Sequence, residues 1–312
     1  MGMAPVAVID IGSNSIKCLV AERGDDGKLH AIAQKTLDAR ISAGISRSDP
    51  RLTEESMQCG LEAIRELLAL TAEHKPEKTI LVATSAVRDA RNGDAFRDRV
   101  QRETGHAIRL LSGNEEANLI GRGLASDPAL GHLRDFYVFD LGGGSLECLA
   151  FRHRRVEQAI SLQLGCVRLT EKFVFDPAAP MTAEARQAVA EHTRQTLLGA
   201  GFSFSLPNDA VAVGTGGTIT TLRAMLAARA GRSLEESDTR VSLAEFRSVL
   251  DQLGAMTLAD RKQVPGIAPE RADVFPTALT TLIAVAEVGG FDAYQHSLYN
   301  LRFGLAAEAL GV

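Results

Sequence analysis

One hydrophobic pattern occurs twice along this sequence. A β-branched apolar run, 5–11, leads into a short turn of Gly, Ser and Asn, and a second apolar run, 16–20, follows. The arrangement returns at 136–140 and 146–151, around a turn that holds three glycines. Runs that are apolar at nearly every position are typical of strands buried on both faces. Each pair of runs is therefore predicted to form a strand, a tight turn and a returning strand.

Helical spacing appears after each of these strand pairs. In the first half, the pattern predicts the order βββαβαβα, with helices that begin near Thr53 and Ser112 and a helix that ends at Gly105. The order starts again at Phe136, and a closing helix is predicted over 299–310. A repeat of this length indicates a duplicated domain rather than a solenoid. The sequence thus predicts an α/β fold of two similar domains, with a ligand-binding cleft between them.

The composition agrees with two globular domains and excludes several classes of protein. The chain has 312 residues, 45% of them hydrophobic, and the polar stretch 126–131 is the predicted domain boundary. A net charge of −5 argues against a non-specific nucleic-acid binder. The four cysteines form no CxxC pair, which predicts reduced thiols and no zinc site. With no signal peptide or membrane-spanning run, we expect a cytoplasmic protein without nucleic-acid or membrane partners.

The two turns of the repeat carry residues suited to phosphate. Each begins with an aspartate that ends a strand, Asp10 or Asp140, and continues with small residues whose N–H groups can converge on an oxyanion. A single copy is more often an ordinary hairpin with Asp as turn former, but two copies at equivalent positions favour phosphate binding. The candidate phosphate-binding residues are Ser13, Asn14, Ser15, Gly142, Gly143, Gly144 and Ser145. Either aspartate could anchor Mg²⁺ through water.

A third glycine-rich turn follows the apolar run 210–213 and opens a predicted helix. Turns of this kind present free N–H groups and the positive end of the helix dipole to anions. A packing turn is the alternative, and a Walker loop is excluded because no GKS or GKT follows. Its candidate phosphate-binding residues are Gly214, Gly216, Gly217 and Thr218.

Taken together, the three turns resemble those of the superfamily of actin, heat-shock chaperone ATPases and sugar kinases. Within it, the sequence is most similar to the exopolyphosphatase/guanosine pentaphosphate phosphohydrolase family. The matching segments are 10–15, 84–92, 112–117, 140–147, 164–169, 214–218 and 269–273. The resemblance implies two ribonuclease-H-like (actin-like ATPase) domains, of residues 1–125 with the closing helix at about 300–312, and of residues 126–299. The sequence departs from the family at Leu146, where threonine is usual.

Two glutamates are the candidate catalytic residues. Ser112 and Glu115 form a predicted capping box, which leaves Glu116 free for another role, although it could simply complement the helix N-terminus. The resemblance implies that Glu116 is the general base that activates water. Glu147 follows Ser145 by two positions, so strand alternation places both on one face. The resemblance implies that Glu147 lies near the metal or the water.

The resemblance also suggests the remaining ligands. Arg88 is a candidate phosphate ligand, with a solvated surface arginine as the alternative. The implied cofactor is Mg²⁺, with Mn²⁺ as an alternative, held by Asp140, Asp10 and Glu147. Contacts of Lys17 and of the basic cluster 152–155 with substrate stay open. The cluster itself is interpreted as an exposed hairpin turn.

The implied activity is hydrolysis of a phosphoanhydride, with release of the terminal phosphate of inorganic polyphosphate or guanosine pentaphosphate. The sequence does not decide between these substrates, and polyphosphate is the first choice. A homodimer is a family-level expectation. The alternatives are an ATP-dependent kinase or actin-like nucleotide switch of the same fold, and a protein that senses guanosine pentaphosphate with little turnover.

Overall fold

The structure, a computed structural model, describes residues 4–312. The strands are β1 Val6–Ile11, β2 Ile16–Arg23, β3 Leu29–Leu37, β4 Lys78–Ala83, β5 Ile108–Leu110, β6 Phe136–Leu141, β7 Leu146–Arg152, β8 Arg155–Leu162, β9 Val211–Thr215, β10 Arg240–Ser242 and β11 Ala293–His296. The α-helices are α1 Glu54–Glu73, α2 Ser85–Arg88, α3 Gly93–Thr104, α4 Gly113–Ala125, α5 Cys166–Phe173, α6 Ala183–Gly199, α7 Gly217–Arg229, α8 Leu243–Gly254, α9 Leu258–Arg261, α10 Phe275–Gly289 and α11 Leu301–Leu310.

The chain divides into two compact units. Unit 1 comprises the chain up to Gly131 together with Tyr299–Val312, and unit 2 comprises His132–Leu298. The change from one unit to the other falls at the end of the polar stretch 126–131.

Unit 1 is built on a mixed sheet of five strands in the order β3-β2-β1-β4-β5. β1 pairs antiparallel with β2 and parallel with β4, so the centre of the sheet joins a hairpin to a crossover. Apolar side chains of β1, β2 and α1 fill the core, as the all-apolar runs in the sequence require. The last helix in the sequence, α11, packs against α4 and β1. The backbones approach so closely that a Cβ on Gly304 would collide with the carbonyl of Leu119.

Unit 2 repeats this arrangement. Its sheet has the order β8-β7-β6-β9-β11-β10, and the first five strands match those of unit 1 in both order and direction. The predicted α/β fold with two similar halves is therefore confirmed. A cluster of aromatic rings, Tyr137, Phe139, Phe202, Phe204 and Phe291, packs within this unit.

Two elements of unit 2 were not predicted. The helix α5 begins directly after Gly165, and its eight residues carry too short an apolar pattern to be recognised from spacing. The strand β10 has three residues and lies at the edge of the sheet, paired antiparallel with β11. We expected only helices between β9 and β11, because a three-residue strand shows no alternation of its own.

Candidate active site

The first two glycine-containing turns have the same backbone geometry. In each, the N–H of the glycine after the aspartate strand donates to a serine carbonyl three residues on: Gly12 N to Ser15 O at 3.2 Å, and Gly142 N to Ser145 O at 3.0 Å. The side chains of Ser13, Asn14, Ser15 and Ser145 are buried. The duplication seen in the sequence therefore extends to the hydrogen bond that closes each turn.

Unit 1 clamps the first turn from two sides. The N–H groups of Arg40 and Ser42 donate to the carbonyls of Asn14 and Ser13, at 2.9 and 3.2 Å. Arg40 Nε also donates to Asn14 Oδ1 at 3.1 Å, and the Ser13 and Ser85 hydroxyls lie 3.0 Å apart. Arg40 has a φ of 37°, a left-handed conformation that few non-glycine residues adopt. With its carbonyls engaged, this turn is held in one conformation.

Unit 2 holds the second turn with the start of α5. The N–H groups of Cys166 and Val167 donate to the carbonyls of Gly142 and Gly143, at 3.0 and 2.9 Å, and Arg168 Nε donates to Gly144 O at 2.9 Å. The sequence motif 164–169 thus supports the turn, a role that its spacing alone did not reveal.

Both turns keep hydrogen-bond donors available. Within residues 4–312, the N–H groups of Ser13, Asn14, Gly143 and Gly144 donate to no protein group. The buried Asn14 Nδ2 makes no hydrogen bond in the same part of the chain. Buried donors without a partner are rare, and successive free N–H groups in a tight turn form an anion-binding concavity. The two turns are therefore chemically suited to phosphate oxygens.

The third turn lies against Asp140. Gly216 has a φ of 88°, and a Cβ at this position would collide with Asp140 Oδ1, so glycine is required both by conformation and by space. The Arg271 guanidinium packs against Gly217, and a Cβ on Gly214 would collide with Ile219. Thr218 Oγ1, at the first turn of α7, is buried and makes no hydrogen bond in the described residues.

A row of polar side chains crosses the sheet of unit 2. Asp140 lies opposite Glu147 of β7 and beside Thr215 of β9, and Glu147 in turn lies opposite Ser161 of β8. Residues paired in this way project to the same face of a sheet. Glu147 is 2% exposed, and its Oε1 accepts a hydrogen bond from Ser161 Oγ at 2.7 Å. The two predicted carboxylates are thus neighbours on one face.

The equivalent row of unit 1 has a different charge. Asp10 lies opposite Lys17, which occupies the position that Glu147 has in unit 2. Asp10 Oδ1 is buried without a hydrogen bond in the described residues. Desolvation raises the pKa of the Asp10 carboxyl, while the charges of Lys17 and Arg302 oppose that rise. Lys17 therefore lies on the same face of the sheet as Asp10.

The adjacent glutamates of α4 have separate environments. Glu115 completes the predicted capping box: its Oε2 accepts from Ser112 N at 2.9 Å and its N–H donates to Ser112 Oγ at 3.2 Å. These hydrogen bonds, together with Arg109, lower the pKa of Glu115 to about 2. Glu116 is instead buried, and its Oε2 accepts from Arg88 Nη1 at 3.0 Å. The structure therefore confirms the predicted structural task of Glu115 and shows that Glu116 has a different partner.

The short helix α2 connects Glu116 with the first turn. Its first residue, Ser85, contacts Ser13, and its last, Arg88, holds both Glu116 and the carbonyl of Leu111, the latter at 2.9 Å. Arg88 Nη2 makes no hydrogen bond within the described residues, so one edge of the guanidinium stays available. We expected Arg88 to be a phosphate ligand, with a solvated surface arginine as the alternative. Its contact with Glu116, 28 positions away, could not be deduced from spacing.

Each unit thus gathers part of the predicted site. Unit 1 brings together Ser13, Asn14, Ser15, Arg88 and Glu116, and unit 2 brings together Asp140, Glu147, the second turn and the third. The cluster 152–155 forms the exposed turn between β7 and β8, as predicted, with left-handed backbone at His153 and Arg154. Across residues 4–312 there is no group of three or more His, Cys, Asp or Glu placed to bind a metal ion. Nor does any described helix have the length and hydrophobicity needed to cross a membrane.

Known proteins are similar to this chain in sequence and fold over nearly its whole length. A sequence model described as the Ppx/GppA phosphatase family matches residues 19–311. The chain is 31% identical to exopolyphosphatase 2 of Mycobacterium tuberculosis, over the full length of both. It is 30% identical to a guanosine-5'-triphosphate,3'-diphosphate pyrophosphatase of Vibrio vulnificus, an alignment that covers 99% of this chain but 60% of the relative.

Solved structures give the same result. An exopolyphosphatase from Cytophaga hutchinsonii superimposes with a TM-score of 0.88 at 25% identity, covering 99% of this chain and 98% of the other. A PPX-GPPA enzyme from Aquifex aeolicus does so with a TM-score of 0.78 at 28% identity, covering 97% and 99%. The expected resemblance is confirmed, and with it the actin-like fold. The chain belongs to the Ppx/GppA phosphatase family.

Proposed function

We propose that the protein hydrolyses a terminal phosphoanhydride bond and releases orthophosphate. The observation that carries this proposal is the combination of unpartnered N–H donors in the glycine turns with a buried glutamate, Glu116, that is held by an arginine. Hydrolysis of a phosphoanhydride requires an aligned water and neutralisation of the charge on the phosphate oxygens. The turns supply donors for those oxygens, and Glu116 supplies the base.

The reaction follows from the chemistry of these residues. The N–H groups of the turns, with the hydroxyls of Ser13, Ser15 and Ser145, bind phosphate oxygens. Glu116 accepts a proton from the attacking water, whose oxygen forms a bond to the terminal phosphorus as the bond to the bridging oxygen breaks. The Arg88 guanidinium keeps the Glu116 carboxylate in place, and its free edge is available to a phosphate oxygen.

The residues of unit 2 fit a divalent cation. Asp140 and Glu147 are like charges directly opposite each other, an arrangement that destabilises a sheet unless a cation or hydrogen bonds compensate. Mg²⁺ takes one or two carboxylates and keeps several waters, so it needs no cluster of three acidic residues. We therefore assign Mg²⁺, or Mn²⁺, to Asp140 with support from Glu147, and Asp10 is the equivalent aspartate in unit 1. Bound there, the ion would neutralise negative charge on the phosphates.

Inorganic polyphosphate is the substrate we favour. The relative matched over the full length of both chains is named an exopolyphosphatase, whereas the chain spans about 60% of the length of the curated pyrophosphatases that it matches. Guanosine pentaphosphate is the second substrate to be tested. We also propose a cytoplasmic location and, by analogy with the family, a homodimer.

The test is release of orthophosphate from each substrate in the presence of Mg²⁺. Purified protein is incubated with polyphosphates of defined length, with guanosine pentaphosphate, or with ATP and a set of sugars. We expect phosphate release from polyphosphate, with guanosine pentaphosphate used more slowly. Phosphorylation of a sugar would identify a kinase instead. Tight binding of guanosine pentaphosphate without turnover would identify a sensor.

A further inference from the structure

A chain of hydrogen bonds within unit 2 leads to the third glycine turn. Arg223 Nη1 lies 2.7 Å from His296 Nδ1, His296 Nε2 lies 3.1 Å from Thr220 Oγ1, and Thr220 Oγ1 donates to Gly216 O at 2.8 Å. The partners lie on α7, at the end of β11 and in the turn itself. Arg223 and His296 are buried, and neither has a place in the reaction described above.

The direction of every bond in this chain is fixed. An arginine can only donate, so His296 Nδ1 must accept, and the neutral ring then carries its proton on Nε2. The Thr220 hydroxyl oxygen accepts a hydrogen bond from His296 Nε2–H, and the hydroxyl donates its own hydrogen bond to the carbonyl of Gly216. Burial and the Arg223 charge both lower the pKa of His296, to about 3, which agrees with a neutral ring.

Arg223 is in turn held firmly by the segment after α7. Its Nε donates to Asp238 O at 2.9 Å, and its Nη2 donates to the carbonyls of Leu234 and Ser237 at 2.8 and 2.9 Å. The Ser237 hydroxyl is a further acceptor, also at 2.9 Å. These hydrogen bonds fix the orientation of the guanidinium. Through Nη1, the guanidinium in turn fixes the orientation of the His296 ring.

The chain of hydrogen bonds ends at the peptide group that joins Gly216 to Gly217. In a planar trans peptide, the C=O and the N–H point in opposite directions. Thr220 draws the Gly216 carbonyl into the first turn of α7 through its hydroxyl and, at 3.3 Å, through its N–H. The Gly217 N–H must then point away from the helix, where it can meet an anion.

We propose that Arg223, His296 and Thr220 are positioning residues that aim the Gly217 N–H at a phosphate oxygen of the substrate. This inference rests on the proposed function, since it presumes that the third turn binds phosphate. It predicts that loss of the Thr220 hydroxyl weakens substrate binding more than it slows the chemical step, because the N–H contacts the substrate in both ground and transition states.

The experiment compares three substitutions of buried threonines. Thr220→Val removes the hydroxyl that reaches Gly216, Thr220→Ser retains it, and Thr281→Val removes a buried hydroxyl that makes the same kind of bond, to Thr277 O four residues back at 2.9 Å, elsewhere in unit 2. We expect Thr220→Val to raise KM for polyphosphate by about tenfold with kcat changed less than threefold. Thr220→Ser and Thr281→Val should retain the wild-type KM.

A second measurement requires no substrate. Without the hydroxyl, the Gly216 carbonyl is held by the amide of residue 220 alone, so hydrogen exchange of that amide should become faster in Thr220→Val and not in Thr281→Val. Nitrogen-15 shifts of the ring should show His296 as the Nε2–H tautomer in the wild-type protein.

The outcomes separate this inference from the proposed function. If the wild-type protein releases no phosphate from any substrate, the proposed function is wrong, and exchange of the residue 220 amide still decides whether the hydrogen-bond chain holds the turn. If the wild-type protein is active but Thr220→Val matches Thr281→Val in both KM and exchange, the positioning role is overturned. An Nδ1–H tautomer of His296 would overturn it as well.

Discussion

Asp140 on β6 lies directly opposite Glu147 on β7, so unit 2 places two carboxylates side by side on one face of its sheet. At the equivalent position of unit 1, the neighbour of Asp10 is Lys17. A duplicated fold has thus acquired two different charge patterns at the same pair of positions. Unit 2 therefore pairs two carboxylates at this position, whereas unit 1 pairs a carboxylate with an ammonium group.

The first prediction concerns the cation. Asp140→Asn should raise the Mg²⁺ concentration needed for half-maximal phosphate release by at least about tenfold. Mg²⁺ is bound by very few carboxylates, so the loss of one negative charge strongly weakens Mg²⁺ binding. The measurement is phosphate release across a Mg²⁺ titration. Asp292→Asn is the matched control, since Asp292 is an exposed carboxylate of the same unit that pairs with Arg240. Equal Mg²⁺ dependence in both variants would exclude Asp140 as a ligand.

The second prediction uses the adjacent glutamates of α4. Glu116→Gln should lower kcat by about a hundredfold or more with little change in KM, because a neutral amide cannot accept the proton of the attacking water. Glu115→Ala breaks the capping box and should lower the midpoint of thermal unfolding, while kcat stays near that of the wild type. Steady-state kinetics and a melting curve test both substitutions. A Glu116→Gln variant with wild-type kcat would remove Glu116 from the role of base.

The third prediction concerns the arginine that holds the base. Arg88→Lys should lower kcat by about ten- to a hundredfold, because an ammonium group cannot reproduce the guanidinium contacts to Glu116 and Leu111 O, and small misplacements of a catalytic group have large effects. Arg91→Lys is the control, since Arg91 is exposed and pairs with Asp49 at 2.8 Å. The comparison is of kcat at saturating polyphosphate. If both variants turn over equally fast, Arg88 does not position Glu116.

The fourth prediction separates backbone strain from close approach. Gly216→Ala should abolish most activity, because its Cβ would collide with Asp140 Oδ1 in addition to the strain of a φ of 88°. Gly231→Ala places the same methyl at a φ of 65° with nothing within 4 Å. That control should lower the free energy of unfolding by about 1 kcal/mol and leave kcat/KM unchanged. Similar activity in the two variants would show that the approach to Asp140 is unimportant.

The fifth prediction is a pH dependence of stability. The pKa of His296 lies at about 3 in the folded protein, against an ordinary 6.5. The unfolded chain therefore binds this proton first as the pH falls, so the contribution of His296 is complete above about pH 6.5 and is lost progressively towards pH 3. The full loss is on the order of 5 kcal/mol.

Urea unfolding of the wild type and of His296→Gln between pH 4 and pH 7.5 measures this effect. Because the variant lacks the titrating ring, the stability difference between the two proteins should shrink as the pH falls. A difference that stays constant over this range would mean that His296 titrates with its ordinary pKa.

Local chemistry made much of this molecule predictable. The capping box of Ser112 and Glu115 and the helix end at Gly105 depend on residues within a few positions of each other, and the structure confirms both. The duplicated sheets were predictable because each half repeats an unbroken apolar run and a glycine turn. Patterns of this kind report on burial and on backbone conformation, which are local properties.

The contacts that support the site were not predictable in this way. Arg88 and Glu116 are 28 positions apart, and Arg223 and His296 are 73 apart. Nothing in the spacing of such residues shows that crossovers of the sheet bring them together. Arg40 was missed for the same reason, since its contact with Asn14 depends on where the chain returns after β3.

The last helix, α11, completes unit 1 although it is made after all of unit 2. Its Gly304 meets the backbone of α4 so closely that neither helix can pack fully without the other. During synthesis, this surface of α4 therefore lacks its partner until residues 301–310 have been made, whereas unit 2 is one continuous stretch of the chain. Unit 1 can thus be completed only after all of unit 2 has been synthesised.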